Sequence, residues 1–468
     1  MTDPKSNDSG ANQSLLLTPS PYDGSIVSSK QHIQISCLWL AINAHWGALL
    51  VILLPTEIAH IAPDFRAEAL GLFSGIGAII ALLAPLVIGP LSDRCRHRMG
   101  RRKPYIAYGI GLNLLGLIAM AVCAHNSAPI HLTVKGSAFQ NTILLLHYGP
   151  YVSFLLAFLV VQLGSNITSA AFMGFVPDLI PSNQRGLASG YVAVMSQLGT
   201  LVGAVGTGLL LNHFSVYVKY GFIGVLLAVT GFVAVYSVEE YPLVASIPKL
   251  NWPVYFCSLY SDLVKSKDFL WVWITRFLVM LGFYAIQPFI NYYLVDIVGL
   301  KHPNGPASEL IGIILIASSI SGYYGGKISD RLGRKKVVYY SSISMAGFVL
   351  LFTLCRSFVE VLVVGLFFGI GFGSYVSVDW ALGADALPNK DEAGKDMAVW
   401  HVAMTLPQSI SPPIAGAIIG AFIIDTNLHQ STVHSVHYGI FGYALVFLFC
   451  ACAFLAGGYF LKNVRNIR

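Results

Sequence analysis

Long apolar stretches alternate with short polar connections along nearly the whole chain of 468 residues. A helix needs about 20 apolar residues to cross the hydrocarbon core of a bilayer, and about twelve of the stretches reach that length. Few charged residues interrupt them. The pattern predicts membrane-spanning helices near residues 34–56, 67–91, 104–124, 143–176, 187–211, 217–237, 270–297, 309–328, 336–355, 358–384, 396–423 and 438–461.

Composition agrees with this pattern. Hydrophobic residues make up 55% of the chain and charged residues 11%, with a mean hydropathy of +0.68, whereas soluble domains carry about 25% charged residues. The chain is therefore expected to be an integral membrane protein. Its net charge of +6 does not indicate nucleic-acid binding, because the basic residues lie in loops between apolar stretches.

The distribution of Lys and Arg predicts how the chain is oriented. With both termini in the cytoplasm, most of the 28 basic residues fall in the tails and loops on the cytoplasmic side. Basic residues near cytoplasmic loop ends are the usual determinant of membrane orientation, so both termini are predicted to be cytoplasmic. One arginine, Arg276, remains inside the membrane, and the opposite side holds Arg66, Lys135, Lys219, Lys301 and Arg356.

The polar ends and the longest connection predict the domain limits. Residues 1–31 lack the basic start and short apolar core of a signal peptide and are expected to form a disordered cytoplasmic tail. A proline-containing stretch, residues 238–269, is expected to be a cytoplasmic linker rather than a domain. It separates an N-terminal six-helix bundle from a C-terminal one, and the predicted limits of these bundles and of the final tail are 32–237, 270–461 and 462–468.

Two related loop sequences indicate that the chain is duplicated. GPLSDRCRHRMGRRKPY occupies residues 89–105, and GKISDRLGRKK occupies residues 326–336. Each contains Gly, three residues and Asp-Arg, followed by Gly-Arg and another base. A second echo places an acid after the fourth and tenth apolar stretches, Asp178 in PDLIP and Asp385 in ADALP. The spacing of about half the chain predicts two equivalent halves.

The loop sequences resemble a known family signature. A Gly-x-x-x-Asp-Arg-x-Gly-Arg-Arg loop between the second and third helices, repeated between the eighth and ninth, is similar to the signature of the major facilitator superfamily. The longer form SDRCRHRMGRRKPYI and the run HWGALLVILLPTEI resemble the sucrose-transporter and glycoside-pentoside-hexuronide branch. The resemblance implies an all-α membrane protein with twelve transmembrane helices in two pseudo-symmetric six-helix bundles. It also implies a monomeric secondary transporter of the plasma membrane that works by alternating access, without enzymatic activity or a cofactor.

The same resemblance implies a conformational latch at the cytoplasmic ends of the helices. The acid and the arginines of each loop would tie neighbouring helices together while the cavity faces outward, with Arg94 or Arg331 reaching an acid such as Asp178 or Asp385. The alternative is that these charges only set the topology. The candidate latch residues are Gly89, Asp93, Arg94, Gly100, Arg101, Arg102, Asp178, Gly326, Asp330, Arg331, Gly333, Arg334 and Asp385.

Polar side chains inside the apolar stretches are candidates for a binding site. Such groups are costly in hydrocarbon and usually face a wet cavity or a partner helix. Amides donate and accept hydrogen bonds and aromatic rings stack on sugar faces, so the set fits a neutral polyhydroxylated solute. Any single amide could equally bond a neighbouring helix. The candidates are Asn43, His45, Trp46, Gln162, Asn166, Gln197, Tyr284, Gln287, Asn291, Tyr375, Trp380 and Gln408.

Arg276 and Asp379 form a separate candidate pair. Each lies about six residues from the cytoplasmic end of its helix, a depth of roughly 9 Å, on the helices that line the central path in the resembled family. Opposite charges at equal depth are expected to pair, and protonation of Asp379 would release Arg276 and couple H+ to transport. The alternative is a static ion pair. Plant sucrose transporters differ here, since they carry an arginine in helix 4 and acids in helix 7, where this chain has Gln287 and Asn291.

Other function classes find little support in the residues. The motifs HExxH, GxSxG and GxxxxGKS do not occur in their required contexts, and the histidines of the last external loop, His429, His434 and His437, lack the spacing of a metal site. We therefore expect a transporter that moves a sugar or glycoside together with H+ across the lipid bilayer. The alternatives are an exporter or transporter of another small organic solute, and a transporter-like sensor or assembly factor.

Overall fold

A computed structural model describes residues 21–22, 26–129, 145–181, 184–242, 250–386, 393–424 and 437–465. These residues form an almost entirely helical protein, which confirms the predicted fold class. Its long helices, numbered here in chain order, are α1 Ser29–Ile61, α2 Pro63–Asp93, α3 Lys103–Asn126, α4 Gly149–Phe172, α5 Leu187–Leu210, α6 Val216–Tyr236, α7 Lys267–Asp296, α8 Asn304–Leu332, α9 Arg334–Leu351, α10 Phe358–Ala386, α11 Ala393–Gly420 and α12 Ile440–Phe460.

Each of the twelve predicted spans corresponds to one of these helices. Within the described residues, eleven are long and apolar enough to cross a membrane. The remaining one, α9, has 18 residues and begins with Arg334, Lys335 and Lys336. These cations extend its first turn towards a membrane surface, where their side chains can reach water.

Shorter elements connect the long helices. The helix Phe175–Leu179 follows α4. The predicted linker contains the amphipathic helix Trp252–Lys265, which packs against α7 and α11. Beyond α11, strand β1 Ile423–Ile424 pairs antiparallel with strand β2 His437–Tyr438. The predicted histidines His429 and His434 and most of the predicted N-terminal tail lie outside the described residues.

Helix packing repeats between the two halves of the chain. In the first half α1 packs on α5 and α6, α3 packs on α4 and α6, and α2 packs on α4. Adding six to each number gives the second set: α7 packs on α11 and α12, α9 on α10 and α12, and α8 on α10. The halves meet through the pairs α2–α11 and α5–α8. These two pairs are equivalent, because α8 corresponds to α2 and α11 corresponds to α5. The arrangement has the internal twofold that the duplicated loops predict.

Glycine allows the closest helix approaches within each half. The four-residue spacing of glycines in α5 and α10 is the pattern that brings helix backbones together. A Cβ at Gly203 of α5 would overlap the Ala44 carbonyl oxygen of α1. In α10 a Cβ at Gly369 would lie 2.7 Å from the Ile314 carbonyl oxygen of α8. The absence of a side chain at these glycines lets the helices of each bundle pack closely.

Replacing Gly203 by Val is expected to destabilise the N-terminal half. Because the new side chain would meet backbone rather than a movable side chain, we expect a loss of about 3 kcal/mol, at the upper end of the overpacking range. The measurement is the midpoint of thermal unfolding of purified protein. Gly221→Val is the matched control, since a Cβ there would meet no atom within 4 Å. Equal midpoints for the two variants would contradict the close approach.

Two equivalent helices are interrupted at corresponding depths. Helix α1 contains a π-helical turn, Leu49–Leu53, shortly before Pro55. Helix α7 contains a 3₁₀ turn, Gln287–Phe289, built around Pro288. The two irregular turns contact each other across the seam between the halves. Paired interruptions of this kind mark the substrate region in many transporters with internal repeats, so they direct attention to the centre of the molecule.

Candidate functional site

The two faces of the molecule differ in how the halves meet. We call the face with the α2–α3 and α8–α9 loops the basic face, and the opposite one the far face. Near the far face, Asn291 Nδ2 of α7 donates to the Val51 carbonyl oxygen of α1 at 2.6 Å. Ser308 Oγ of α8 donates to the Ala204 carbonyl oxygen of α5 at 2.8 Å. The halves are therefore joined at the far face.

Helices α2 and α11 close the opposite edge of the same seam. A Cβ at Gly71 of α2 would lie 2.6 Å from the Pro412 carbonyl oxygen. A Cβ at Gly416 of α11 would lie 2.5 Å from the Ala67 carbonyl oxygen. Ala67 N also donates to Tyr438 Oη at 3.0 Å. Backbone contact on both sides leaves little room for passage at the far face.

Towards the basic face the same helices carry exposed side chains. The face of α5 that carries Ala204 exposes Gln197 two turns closer to the basic face. The face of α8 that carries Ser308 exposes Ser319 and Tyr323. From this exposure and from the closed far face we infer a cleft between the halves that opens at the basic face. We call it the central cleft.

A buried ion pair lies in the C-terminal half beside this cleft. Arg276 Nη1 of α7 donates to Asp379 Oδ2 of α10, and the two residues are 1% and 2% exposed. Tyr375 Oη donates to Asp379 Oδ1 at 3.1 Å from one turn away on the same helix. The carboxylate therefore has a partner on each oxygen. Arg276 and Asp379 are therefore in contact, as their equal depth in the sequence predicted.

Aromatic rings surround the guanidinium of this pair. The Arg276 Cζ atom lies 4.6 Å from the centre of the Trp400 ring and 5.2 Å from that of Trp380. Nη2 lies 3.6 Å from the Met404 sulfur. Trp380 is 45% exposed, whereas Trp400 is fully buried. Cation–π contacts stabilise the charge where water is scarce, and the exposed ring offers a flat apolar surface beside it.

Most of the predicted polar residues surround the cleft at other points. On α1, Asn43 and Trp46 are partly exposed on one face, and Asn43 Nδ2 donates to the Trp39 carbonyl oxygen at 2.8 Å. On α7 and α11, Tyr284 and Gln408 share a hydrogen bond. Their partial exposure fits side chains that border a cleft. Gln287 is also partly exposed, and it begins the 3₁₀ turn of α7.

The amides of α4 are mainly engaged within the protein. Asn166 Nδ2 donates to the carbonyl oxygen of Gln162 at 2.8 Å and to its Oε1 at 3.1 Å. Gln162 is buried, and its Nε2 would lie 3.2 Å from a Cβ at Gly77 of α2. In the present conformation Gln162 packs between helices, while the partly exposed Asn166 is the one available to a solute.

Two of the predicted solute contacts are buried in this conformation. His45 is fully buried, and its ring lies edge-on to Trp46 with a centroid distance of 4.6 Å. It points about 100° around the helix from Trp46, away from the cleft. Asn291 is buried beyond the break in α7 and bonds α1 across the seam. It therefore joins the two halves instead of facing the cleft.

Arg102 organises the basic loop of the N-terminal half. Its Nε donates to Asp178 Oδ2 at 2.9 Å, its Nη2 pairs with Asp93 Oδ1 at 2.5 Å, and its Nη1 donates to Ser92 Oγ at 2.9 Å. Arg101 Nη2 adds a contact of 2.7 Å to Asp178 Oδ1. One planar guanidinium with several donors is suited to such a junction. It ties the end of α2 and the short helix after α4 to the loop.

The geometry corrects the residue expected to make this contact. Arg94 Nη1 donates to the Pro90 carbonyl oxygen at 3.0 Å, whereas Arg101 and Arg102 reach Asp178. The additional residues from Cys95 to Met99 separate Arg94 from Arg101 and Arg102, and it is these two later arginines that lie beside Asp178. Gly89 lies at the end of α2, where a Cβ would meet nothing within 4 Å, so close packing does not explain this glycine.

Glu240 fixes the turn that presents these arginines. Its carboxylate accepts from the backbone N–H groups of Arg102 at 2.9 Å and Lys103 at 3.2 Å. Gly100 precedes them with φ +108° and packs on the Glu240 side chain, a conformation that favours glycine. Burial raises the pKa of the Glu240 carboxyl, and the two backbone hydrogen bonds oppose that shift. The sequence interpretation did not include this acid.

Replacing Arg102 by Ala is expected to lower stability by about 3 kcal/mol, because charge-assisted hydrogen bonds contribute roughly 1.5–3 kcal/mol each and Arg101 retains part of the contact with Asp178. Thermal unfolding of the purified protein measures the loss. Arg98→Ala is the control, since Arg98 lies exposed in the same loop. If the contacts of Arg102 do not stabilise the fold, both variants will have the same midpoint of thermal unfolding.

The second basic loop repeats one of these contacts. Arg334 Nη1 lies 3.0 Å from Asp385 Oδ2, and Arg334 corresponds to Arg101 in the aligned motifs. Gly333 before it has φ +93°, as Gly100 does in the first loop. Arg331, the expected partner, is exposed instead. The Asp330 side chain lies outside the described ones, and a Cβ at Gly326 of the same motif would lie 3.0 Å from Ser377 Oγ.

A polar network at the far face was not expected from the sequence. Arg66 Nη2 pairs with Asp296 Oδ1 across the seam. Tyr443 Oη donates to Asp296 Oδ2 at 2.7 Å, and His437 Nδ1 lies 3.0 Å from Asp296 Oδ1. The Asp296 side chain is completely buried. His437 is thus part of this network, although its side chain is 38% exposed.

Sequence features gave little warning of this network. Arg66 and Asp296 stand at helix ends, where charged residues are ordinary, and they are 230 positions apart. A second acid, Glu68, accepts from Tyr438 Oη at 3.3 Å. The only sequence signal is that both acids adjoin a long apolar stretch, Glu68 at its beginning and Asp296 at its end. Each can therefore be buried together with its helix.

Comparison with known proteins places the chain among transporters. A sequence model described as Major Facilitator Superfamily matches residues 35–412 and 310–467. The chain is 28% identical over 157 residues to the multidrug resistance protein MdtG of Proteus mirabilis, covering 33% of this chain and 37% of that protein. It is 24% identical over 179 residues to the sucrose transport protein SUC4 of Arabidopsis thaliana, covering 38% of this chain and 33% of that protein.

The fold also matches solved structures. A point mutant of the nucleoside transporter NupG superimposes with a TM-score of 0.67 over 93% of this chain and 100% of the other, at 12% identity. At that identity the match bears on the fold alone. Both curated relatives are matched over less than two thirds of their own length.

Proposed function

The chain belongs to the Major Facilitator Superfamily, and on this premise we propose that it carries a small polar solute, a sugar or glycoside, together with H+ by alternating access. The observation that carries the proposal is the buried Arg276–Asp379 pair in a protein whose two halves are joined at the far face. A titratable carboxylate in this position can change charge as the access changes. The two faces would open in turn.

The side chains around the cleft support a hydroxylated solute. Asn43, Asn166 and Gln408 supply amides that both donate and accept, as sugar hydroxyls require. Trp380 and Trp46 offer partly exposed ring faces, on which the apolar face of a sugar can stack. Neutral polar groups outnumber charged ones here, which favours an uncharged solute.

Coupling to H+ would act through the ion pair. A proton bound by Asp379 converts the carboxylate into a neutral acid and weakens its attraction to Arg276. The guanidinium can then donate to solute hydroxyls, while Tyr375 Oη stays beside the acid. Loss of the proton on the other side restores the pair and releases the solute. Binding of the proton and the solute would thus favour each other.

The basic face is proposed to be cytoplasmic, as the distribution of Lys and Arg predicts. The present conformation is then open to the cytoplasm and closed outside. The contacts of Arg102 and Arg334 lie within their own halves in this conformation. The contacts predicted as a latch of the outward-facing form are therefore already present in the conformation proposed to be open at the basic face.

A second candidate is export of a small organic solute. It is favoured by the similarity to a multidrug resistance protein and by the exposed Trp380 ring beside a charge, since such a ring also suits apolar aromatic compounds. The two candidates differ in the solute and in the direction of its gradient-driven movement.

Proteoliposomes loaded at neutral pH and diluted into acidic buffer test the proposal. The panel contains radiolabelled mono- and disaccharides, aryl glycosides, nucleosides and cationic dyes. Accumulation of a saccharide or glycoside that disappears with a protonophore is the expected result. Proton-driven movement of a dye without any saccharide flux would instead support export. Background flux for every compound would contradict both candidates and favour a sensor or assembly factor.

A further inference from the structure

A second cavity lies at the far face, separate from the central cleft. Its volume is about 260 Å³, enough for about eight water molecules at roughly 30 Å³ each. The N-terminal half contributes Thr56, Arg66 and Asn212 to its lining, and the C-terminal half contributes Asn291, Lys301 and Asn304. Asn291 of this lining also makes the hydrogen bond to the α1 backbone that joins the halves. Because both halves line it, the cavity exists in this form only while the far face is closed.

One buried side chain in this cavity has an unused hydrogen-bonding group. Asn291 is 3% exposed, and its Nδ2 atom donates to the Val51 carbonyl oxygen. Its Oδ1 atom is buried and has no partner in the protein. A buried acceptor without a donor costs about 1–3 kcal/mol. A ligand hydroxyl bound in the cavity would satisfy it.

The remaining polar groups favour a negative charge. Arg66 uses Nη2 for Asp296, whereas its Nε atom is buried without a partner. Lys301 and His302 stand at the rim, and the lining residues include no carboxylate. Helix α8 begins here at Asn304 without a side-chain cap, and uncapped helix N-termini attract anions. The cavity therefore offers donors to an anion and one acceptor to a hydroxyl.

We propose that the far-face cavity binds a small carboxylate that also carries hydroxyl groups, and that this ligand holds the far face closed. The carboxylate would be held by Arg66 Nε, Lys301 and the start of α8, and a hydroxyl would donate to Asn291 Oδ1. A ligand that binds only the closed form shifts the equilibrium towards it. The regulatory consequence rests on the proposed alternating access, whereas binding itself does not.

Titration calorimetry of the full-length protein in lipid nanodiscs tests the site, with glucuronate as the probe. Glucose is the matched neutral compound, because it differs mainly by the missing carboxylate. We expect glucose to bind at least tenfold more weakly. We expect Lys301→Ala to weaken glucuronate binding about tenfold and Asn291→Asp to weaken it further, since an added carboxylate would repel the probe. Lys219→Ala, on the same face outside the cavity lining, should leave the Kd unchanged.

The central cleft is a competing location for the probe, and Lys301→Ala separates the two. A probe bound in the central cleft would keep its Kd in that variant, because Lys301 lines the far-face cavity. Equal Kd values for Lys301→Ala and Lys219→Ala would overturn the proposal, as would equal binding of glucose and glucuronate. If glucuronate binds as expected but no solute is transported, the transport proposal fails and the site stands.

Discussion

Asp379→Asn is expected to abolish pH-driven accumulation of the solute, lowering it at least a hundredfold, while exchange of solute between the two sides of the membrane continues. The amide keeps the shape and the hydrogen bond from Tyr375 but cannot take up or release a proton. Without that change of charge, a pH gradient has no group in this pair on which to act. Exchange needs only binding and the conformational change, so it should survive.

The measurement compares uphill uptake with counterflow in the same proteoliposomes. Asp64→Asn, an acid at the far face near the start of α2, serves as the control. Removing one partner of a buried pair costs about 3–5 kcal/mol, so the folded yield must be measured in parallel. The double variant Arg276→Gln with Asp379→Asn removes the unpaired charge if the single variant fails to fold. Undiminished proton-driven accumulation in either variant would show that coupling lies elsewhere.

Arg66→Gln is expected to shift the protein towards a conformation open at the far face. Asp296 would remain completely buried with Tyr443 and His437 but without its arginine. The loss of the buried pair, roughly 3 kcal/mol, acts only on the closed form, because the two residues belong to different halves. A bias of that size changes a population ratio more than a hundredfold.

A thiol in the seam reports this change. Ser308→Cys, in a protein whose seven native cysteines are replaced by alanine, places a sulfur atom where α8 meets α5. An impermeant thiol reagent added at the far face should modify it about a hundredfold faster in the Arg66→Gln protein. Arg356→Gln is the control, since that arginine bonds carbonyl oxygens of its own loop. Equal labelling rates would rule out a gate at Arg66.

The sequence predicted the helices and their pairing in two halves because both depend on patterns that repeat along the chain. Membrane spans follow from continuous apolar stretches, and duplication follows from two similar loops. The contact of Arg276 with Asp379 was also predictable, because few charges lie inside the membrane and these two share one depth. Scarcity makes the partner of a buried charge easy to identify.

Other contacts depended on features that a linear reading does not contain. The π-helical turn of α1 leaves only Pro55 as a hint, and the pairing of that turn with α7 requires the assembled halves. His45 was assigned to the cleft although it stands about 100° around the helix from Trp46. Asp296 and Arg66 looked like ordinary residues at helix ends, and only the packing of α2 beside α7 joins them.

The unequal burial of the two basic loops has a consequence for ionic strength. Arg102 is 8% exposed among several oxygen acceptors, whereas the side chains of Arg334 and Asp385 are 26% and 42% exposed. Dissolved ions screen exposed pairs much more than buried ones, with a Debye length of about 8 Å at physiological concentration. Added salt should therefore weaken the contact between Arg334 and Asp385 and leave the contacts of Arg102 intact. The two loops that sequence duplication produced are thus expected to respond differently to the surrounding electrolyte.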